Sequence, residues 1–534
     1  MRPTSTPMPS RPDARTERLV FGALAVAALV AALLVPTYPN YDSYYALVWG
    51  RELADGVLPS FEAYAAPTQH PLWNLVGLVL GVLFGDDADR AVVVLAAVSH
   101  VLLCWAVYRL GTAVANRPVG AVAAALVGSS FAFLLFAARG YVDVPFLALV
   151  LWAAALEARR PRATPRPPGG ERTFTAPPGA GDGQPGAGLP MLLLVLAGLL
   201  RPEAWVLAGL LWLWHGPAAR VRAALAAGTP WRAAVGPRDA LARPGLLAGV
   251  LVAPVLWALS DLAVTGDPLF SLNSTSALAE ALGRDRGIAA VPRAFVSFLS
   301  DTARPPVAAA ALGGIALCLL AARPLGLRAL HVLAALFGAG AITFVGVGVA
   351  GLSILPRYLT VPVVALCLFA AIALAGWTLL DAGHARRALW RGGAIAGAVL
   401  GVLAVAVVKA DAPGRFATEL RYLRAVHDDL EAVLAVPAVQ DGLRCGPVTL
   451  PNYRLVPDTR WVLDVGEADV IARSDDRRRA AGLLPSTGVA LVAVGEKNVR
   501  RIGRADGTPR TTNRLPDGFR EVARNRTFVA GVSC

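Results

Sequence analysis

An acidic residue set among tyrosines is the first group in the chain whose type and position suit chemistry. Asp42 follows the first long apolar run by a few residues and is framed by Tyr41, Tyr44 and Tyr45. A carboxylate at the edge of an apolar run can take a proton from a hydroxyl group that attacks another molecule. This interpretation predicts a general base. The alternative is that Asp42 only caps a helix beginning at Ser43.

Three more ionisable side chains interrupt or border apolar stretches. Arg201 and Glu203 flank Pro202, and Arg357 precedes Tyr358. Charged groups near membrane depth are costly unless they are paired or face a polar cavity, so a functional role is the default hypothesis. Arg201 or Arg357 would suit a phosphate that leaves during a reaction. The alternatives are a pair across the proline or a snorkelling Arg201, and an interfacial anchor for Arg357.

Two further residues are candidates because of their neighbours. Asp143 lies just before Pro145 at the predicted start of a helix, where a second acid could act beside Asp42 and Arg139 could orient it. Capping and compensation of the helix dipole are the alternative for Asp143. His70 precedes a proline and could orient an acceptor or bind phosphate, although a lone histidine in this position is more often structural.

The composition shows which solvent must surround these groups. Of the 534 residues, 56% are apolar and only 16% are charged, which is too few charges to cover a soluble surface. The apolar residues come in runs of nearly the length that a membrane-spanning helix needs. The net charge of +13 lies in short loops between these runs rather than on one soluble face, so it does not indicate nucleic-acid binding. The sequence therefore excludes a soluble enzyme and a simple secreted module.

The apolar runs predict an α-helical, multi-pass membrane protein with roughly eleven crossings. Residues 71–84 are apolar but short and precede three acidic residues, so we predict that they lie at the membrane interface or insert only partly, without a full crossing. The predicted spans are residues 19–36, 91–113, 118–137, 142–157, 190–201, 203–216, 245–264, 306–322, 329–351, 358–380 and 392–409.

Basic loops remain on the cytoplasmic side, and this rule orients the chain. It places the N-terminal tail, residues 1–18, in the cytoplasm together with the loop at 158–188, whose many prolines and glycines predict flexibility. Residues 19–409 then form the membrane domain. The segments 37–70, 138–144, 201–203, 266–305 and 351–357 then face the outside, and the chemistry is expected there.

The last segment, residues 410–534, lacks long apolar runs and reads as a small soluble α/β domain outside the cell membrane. Short β-rich pieces such as 461–465 and 489–494 are its predicted strands. Cys445 and Cys534 both fall in this domain, where an oxidising environment permits a disulfide; two unpaired thiols are the alternative. The sequence has no CxxC pair and no HExxH motif, which argues against a structural zinc site.

Taken in order, five short motifs resemble one known class of membrane enzyme. They are the first-loop acid Asp42, His70-Pro71, an Ala-Arg-x-x-x-Asp-x-Pro segment at 138–145, Leu-Arg-Pro-Glu-Ala-Trp at 200–205 and Leu-Pro-Arg-Tyr-Leu-x-x-Pro at 355–362. Together they resemble the GT-C fold membrane glycosyltransferases. That class includes protein O-mannosyltransferases, the aminoarabinose transferase of lipid A and mycobacterial-type arabinosyltransferases.

The resemblance implies an external active site that moves a sugar from a polyprenyl-phosphate donor to a glycan, lipid or protein acceptor of the cell envelope. It implies that the first-loop acid is the general base and that a second external acid assists it or helps to hold a divalent cation, Mg²⁺ or Mn²⁺. The residues matched or grouped with these motifs are Asp42 and Asp143 as catalytic groups, Arg139, Arg201 and Arg357 for the donor phosphate, and Tyr41, Tyr44, His70, Glu203 and Tyr358 for substrate binding.

A single displacement at the anomeric carbon would invert its configuration. The competing hypothesis is a transporter or flippase, which would share the many spans and the charges near membrane depth. Such proteins often carry an internal repeat with matching broken helices, and the sequence shows no such repeat.

Overall fold

The computed structural model describes residues 14–35, 37–160, 186–230, 243–408, 410–504 and 510–534. Most of the predicted cytoplasmic tail at 1–18 and of the predicted loop at 158–188 lies outside the described residues. The described chain is mainly helical up to residue 408, and a mixed sheet with short helices follows it.

The helices before residue 408 form the apolar part of the molecule. The outermost, α1 and α17, leave most of their leucine and valine side chains exposed, as helices in contact with lipid would. In chain order the helices are α1 (Ala14–Leu34), α2 (Tyr41–Ala54), α3 (Pro71–Phe84), α4 (Ala88–Val114), α5 (Arg117–Gly128), α6 (Phe131–Ala138), α7 (Asp143–Ala158), α8 (Gly188–Gly198), α9 (Glu203–His215), α10 (Pro217–Ala226), α11 (Pro244–Thr265), α12 (Phe270–Ala281), α13 (Val291–Ala303), α14 (Pro305–Ala321), α15 (Leu330–Val349), α16 (Thr360–Ala375) and α17 (Ala385–Val408).

Every predicted span corresponds to a helix or a bent helix pair, but the number of crossings stays a prediction. By length and hydropathy, 6 helical stretches of the described chain are able to cross a membrane, or up to 8 if each bent pair is one span. One such pair is α5 with α6, which bend by 60° at their junction. The three predicted spans outside this set are α7, α8 and α9. The last two have only 11 and 13 residues, against the roughly 20 that a full crossing takes.

Helix α3 packs along α2. Near its start, the Trp73 indole donates a hydrogen bond to Ser43 of α2 at 3.1 Å. Just beyond its end, Asp86 lies 3.9 Å from Arg51 of the same helix. A Cβ on Gly77 would lie 2.1 Å from the Ala46 carbonyl oxygen, so the two backbones touch. Helix α3 also belongs to a longer helical stretch, Pro71–Val114, that is long and apolar enough to cross a membrane, so the placement of residues 71–84 at the interface stays a prediction.

The C-terminal part is a small α/β domain built on a five-stranded mixed sheet. The strand order is β2-β1-β3-β5-β4; β1 pairs in parallel with β2 and β3, and β5 pairs antiparallel with β3 and β4. The strands are β1 (Val448–Leu450), β2 (Val470–Ala472), β3 (Gly488–Ala493), β4 (Arg520–Arg524) and β5 (Phe528–Ser533). The helices are α18 (Ala412–Leu434), α19 (Pro437–Gly442), α20 (Val456–Leu463), α21 (Asp476–Ala480) and α22 (Glu496–Asn498).

One predicted strand of this domain is a helix instead. The 489–494 piece is β3, as predicted, whereas the 461–465 piece contains the end of α20 and the turn after it. Pro457 near the start of α20 favours a first helical turn, and Trp461 packs under the guanidinium of Arg51 at 3.7 Å. The aromatic side chain therefore serves to dock α20 on α2 rather than to pack in the sheet.

The domain is fastened both internally and to the membrane part. Cys445 and Cys534 form the predicted disulfide, which ties the end of the chain back to the segment before β1. The buried Arg460 of α20 pairs with Glu52 of α2 at 2.5 Å. Further along the same face, the Tyr64 hydroxyl donates a hydrogen bond to the Ser474 carbonyl at 2.9 Å. These contacts hold the sheet domain directly over the 37–70 segment that carries Asp42.

Candidate active site

The first turn of α2 is fixed by hydrogen bonds to the segment between α6 and α7. Asn40, not Asp42, caps α2, because its side chain accepts a hydrogen bond from the Ser43 amide at 3.3 Å. The Ser43 hydroxyl donates to the Gly140 carbonyl at 2.6 Å, and the Asn40 amide donates to the Arg139 carbonyl at 2.8 Å. The capping alternative for Asp42 is therefore wrong, and its carboxylate is free to point elsewhere.

Gly140 is needed at this contact for two reasons. Its φ of +60° lies in the left-handed region, and a Cβ there would approach a methyl carbon of Val92 to 2.8 Å. The close approach lets the 138–141 segment carry both Arg139 and the start of α7 against α2.

Asp42 points to Arg357. The Nη1 of Arg357 donates to Oδ2 of Asp42 at 2.5 Å, and Arg357 stands in a short 3₁₀ turn that leads into α16. Burial raises the pKa of the Asp42 carboxyl, but the guanidinium of Arg357, together with that of Arg201, outweighs it and holds that pKa below its ordinary value. Asp42 is therefore ionised at neutral pH, and its Oδ1 accepts no hydrogen bond from a described residue.

A buried three-residue ion cluster lies behind this pair. Arg201 donates to both Asp143 and Glu203; its Nη2 lies 2.6 Å from Oε1 of Glu203. All three side chains are at most 4% exposed. The Arg201 guanidinium also lies 5.2 Å from the centre of the Tyr358 ring. The pair across Pro202 proposed as an alternative is thus present, and Asp143 joins it instead of capping α7, whose first turn has no side-chain cap.

His70 lies beside the same cluster as a neutral ring. Burial lowers the pKa of His70 to about 3, and the adjacent guanidinium groups of Arg201 and Arg357 add to that effect against the opposing charge of Asp42. The ring packs edge-on to Trp257 at 5.9 Å, and its Nδ1 has no hydrogen-bond partner among the described residues. A neutral imidazole cannot supply positive charge to a phosphate, but it can orient a polar neighbour.

A cavity of about 770 Å³ opens between the external loops and the C-terminal domain. Half of the ten residues predicted for catalysis and substrate binding line it, and the other half lie outside its lining. Those that line it are Tyr41, Asp42, Arg139, Arg357 and Tyr358. Those outside it are Tyr44, His70, Asp143, Arg201 and Glu203.

Several lining residues were not singled out in the sequence. Arg284 comes from the external loop after α12, and Tyr422, Arg454, Asp458 and Arg501 come from the C-terminal domain. In the polar sequence between or after the apolar runs an arginine, an aspartate or a tyrosine is ordinary, so no local pattern marks these five. The four from the C-terminal domain come close to Asp42 only because α18 and α20 dock on α2.

Comparison with solved structures matches this arrangement over almost the entire chain. The crystal structure of ArnT from Cupriavidus metallidurans bound to undecaprenyl phosphate aligns with a TM-score of 0.50 and 14% identity, covering 97% of this chain and 98% of that one. ArnT has the GT-C fold. This chain has the GT-C fold as well.

A second GT-C structure, the apo oligosaccharyltransferase of Archaeoglobus fulgidus, aligns with a TM-score of 0.45 and 13% identity, covering 93% of this chain and 72% of that one. No protein-family model matches the sequence, and no curated protein sequence matches it either. The likeness to ArnT confirms the GT-C fold that the five motifs predict, although only 14% of the aligned residues are identical.

The donor set of this GT-C chain does not fit a resident divalent cation. Within the described ranges, no group of three or more His, Cys, Asp or Glu side chains could hold a metal ion. Asp42 is engaged by Arg357, and Asp143 shares Arg201 with Glu203, so a guanidinium stands where a cation would have to bind. The reaction proposed for this chain therefore has no step that uses Mg²⁺ or Mn²⁺.

Tyr44 has a different neighbour from the one predicted for it. Its hydroxyl lies 3.2 Å from Asp89 and 3.4 Å from Nε2 of His427, and His427 also pairs with Glu431 at 3.0 Å. The His427 ring stacks on Tyr38 at 4.9 Å as well. Tyr44 thus belongs to a polar contact between α2 and α18 that helps to dock the C-terminal domain, beside the cavity rather than inside it.

This contact predicts a pH-dependent attachment of the domain. Burial lowers the pKa of His427, but Glu431, Asp458 and Asp89 outweigh it and hold that pKa above its ordinary value. Because the folded pKa is raised, the stabilisation is fully present below about pH 6.5 and is lost as the pH rises through the raised value. Thermal unfolding of the protein in nanodiscs from pH 5.5 to 8.5 should show this loss in the wild type and not in His427→Gln. Equal pH dependence of the two proteins would contradict it.

Proposed function

We propose that this protein is a membrane glycosyltransferase that moves a sugar from a polyprenyl-phosphate donor to a cell-envelope acceptor at the external face of the membrane. The observation that carries the proposal is the Asp42–Arg357 pair at the wall of a large polar cavity, where an ionised base and a fixed cation stand together. The likeness in fold to ArnT, whose structure holds undecaprenyl phosphate, supports a lipid phosphate as the donor's carrier.

Asp42 has the properties that a general base needs. It is ionised at neutral pH, and one of its two carboxylate oxygens, Oδ1, remains available to a substrate hydroxyl. The neutral ring of His70 lies behind it and adds no competing proton at neutral pH. An acceptor hydroxyl that hydrogen-bonds to Oδ1 becomes a better nucleophile as its proton moves to the carboxylate.

Arg357 is the cation best placed for the leaving phosphate. It lines the cavity, and its Nε has no hydrogen-bond partner among the described residues while Nη1 holds Asp42. Arg139 lines the same cavity and donates only to the carbonyls of Tyr38 and Pro39, so it can contribute further positive charge. A guanidinium that is already oriented stabilises a developing phosphate charge without having to reorganise.

Arg201, Asp143 and Glu203 act in this proposal as a support. Arg201 donates its hydrogen bonds to the two carboxylates, and its guanidinium lies over the ring of Tyr358, the neighbour of Arg357. The cluster therefore fixes the turn that presents Arg357, and we assign no contact with the sugar to its members.

The reaction then balances as a single displacement. The acceptor oxygen forms a bond to the anomeric carbon, the bond from that carbon to the phosphate oxygen breaks, and the acceptor proton passes to Asp42. Polyprenyl phosphate leaves with the electron pair, next to Arg357. Attack opposite the leaving group inverts the anomeric centre.

The proposal includes the membrane orientation that the basic loops predict. The N-terminus faces the cytoplasm, the protein lies in the plasma membrane, and the C-terminal domain lies outside it. A lipid-linked donor fits this placement because its sugar reaches the external face without a soluble carrier.

The deciding experiment uses the purified full-length protein in nanodiscs with radiolabelled polyprenyl-phosphate sugars, a cell-envelope extract as acceptor and NMR of the product. We expect transfer of the label from at least one donor, with the opposite anomeric configuration in the product. Movement of an intact donor lipid across the bilayer without transfer of the sugar would replace this proposal with a flippase.

A further inference from the structure

The cavity has a second polar end that the transfer mechanism above does not use. It lies where the C-terminal domain covers the external loops, and Tyr422, Arg454 and Asp458 line it from that domain while Arg284 lines it from the loop after α12. Asp458 and Tyr422 both interact electrostatically with Tyr38, so the two lie close to one another on this side of the cavity. We call these four residues the outer subsite.

Asp458 is a buried acid without a hydrogen-bonded side-chain partner. It is only 3% exposed, yet it makes no side-chain hydrogen bond or ion pair with another side chain in the described part of the chain. Buried carboxylates are normally hydrogen-bonded, because desolvation penalises the charge. His427 and Arg139 act on Asp458 through their charge alone, so its carboxylate keeps the capacity to accept hydrogen bonds from a ligand in the cavity that it lines.

The other three residues offer hydrogen-bond donors that are unused or only partly used. The Tyr422 hydroxyl is buried without a partner among the described residues. Arg454 donates to the backbone carbonyl of Arg501 at 2.6 Å, and Arg284 reaches only the Tyr453 hydroxyl at 3.5 Å. Neither arginine forms an ion pair with a described carboxylate, whereas the neighbouring Arg501 is held by Glu419.

This mixture of groups selects the kind of ligand that fits. An anion would satisfy the arginines and be repelled by Asp458, and a cation would do the reverse. A group that both donates and accepts hydrogen bonds satisfies all four residues, and hydroxyl groups do this. Several hydroxyls fixed on one small frame, as in a sugar, can reach an acid, a phenol and two guanidinium groups at once.

We propose that the outer subsite binds the acceptor and that the acceptor is a carbohydrate, with Asp458 accepting hydrogen bonds from its hydroxyl groups. The inference rests on the transfer reaction proposed above and names the class of its acceptor. It gives the C-terminal domain a direct part in the site: the domain holds the acceptor sugar, Asp42 takes the proton of the attacking hydroxyl, and Arg357 binds the donor phosphate.

The charge state of Asp458 supports this geometry. Burial raises the pKa of Asp458 to about 6, opposed by His427 on α18 and by Arg139 and assisted by Asp89 on α4. The carboxyl is therefore mostly ionised at neutral pH, and protonation below about pH 6 should weaken its hold on a sugar. Because Asp42 has a lowered pKa, the two acids are expected to titrate in separate pH ranges.

The test measures binding without any donor. Neutral disaccharides of mannose, galactose, glucose or arabinose, and a serine- and threonine-rich peptide, are titrated into the full-length protein in nanodiscs and followed by saturation-transfer NMR. We expect at least one disaccharide to bind. Asp458→Asn should raise its Kd at least tenfold and Tyr422→Phe about threefold to tenfold. Asp441→Asn, which changes an exposed acid of the same domain, should leave the Kd unchanged.

Two results would overturn the inference: binding of the peptide in preference to every disaccharide, or the same disaccharide Kd in the wild type, Asp458→Asn and Tyr422→Phe. The phenylalanine variant loses only a hydroxyl, so it keeps the test valid if Asp458→Asn folds poorly. Donor turnover is measured separately. Disaccharide binding that depends on Asp458, without sugar transfer from any donor, would refute the proposed reaction and leave the carbohydrate subsite in place.

Discussion

Asp42→Asn is expected to lower kcat for sugar transfer by about 10²-fold to 10⁴-fold, the range that loss of a positioned general base produces. The amide keeps the size of the side chain and removes its ability to accept a proton. Asn40 caps α2 and Asp42 does not, so the helix itself should be unaffected. Transfer of label from the polyprenyl-phosphate donor, measured under single-turnover conditions, reports the chemical step directly.

Asp55→Asn is the matched control, because Asp55 ends the same helix and is exposed to solvent. Its activity should equal that of the wild type. The thermal unfolding of all three proteins should also be compared, since the Asp42 variant leaves Arg357 without its ion-pair partner. Full activity of Asp42→Asn would remove Asp42 from the mechanism, while Arg357 would keep its place in the cavity.

Arg201→Met is expected to be the most destabilising single change in the membrane part, by about 3–5 kcal/mol. The substitution leaves the carboxylates of Asp143 and Glu203 buried without a cation, and burying an uncompensated charge is the expensive outcome. Thermal unfolding in nanodiscs, followed by tryptophan fluorescence, measures the effect.

A compensated variant separates stability from chemistry. The triple change Arg201→Met, Asp143→Asn and Glu203→Gln removes all three charges together, and it should recover most of the lost stability because no charge is left unpaired. Its activity should remain low, since the charge over Tyr358 that helps to fix Arg357 is gone. An unfolding temperature for Arg201→Met equal to that of the wild type would show that the cluster is solvated.

The sequence predicts the types of residue at the site better than their partners. Charge inside apolar sequence marks Arg201 and Arg357 because such residues are costly in lipid. Their pairing with Asp143 and Asp42 depends on how α2, α7 and α16 come together, and no local spacing encodes that. The capping roles were plausible because capping is a local pattern, and tertiary contacts overrode it at both aspartates.

The fold shows the same division between local and long-range information. Each apolar run that predicts a span corresponds to a helix or a bent helix pair, since lipid imposes length and composition on each helix separately. The short aromatic and β-branched piece at 461–465 is ambiguous by pattern alone. In the structure it contains the end of α20, where Trp461 contacts Arg51 on α2. Asp458 and Tyr422 carry no signal at all until the domain that holds them is docked.

The ion pairs of the site also have a consequence for the synthesis of the protein, because in each pair the acid is made before its arginine. Asp143 precedes Arg201 by 58 residues, and Asp42 precedes Arg357 by 315. At a synthesis rate of about 5–20 residues per second, Asp42 leaves the ribosome roughly 15–60 s before its arginine does. Until its arginine has been synthesised, each carboxylate must remain in water rather than in lipid. Both acids lie in the first turns of their helices, at what we propose is the external face, so the nascent chain can keep them in water until the arginines follow.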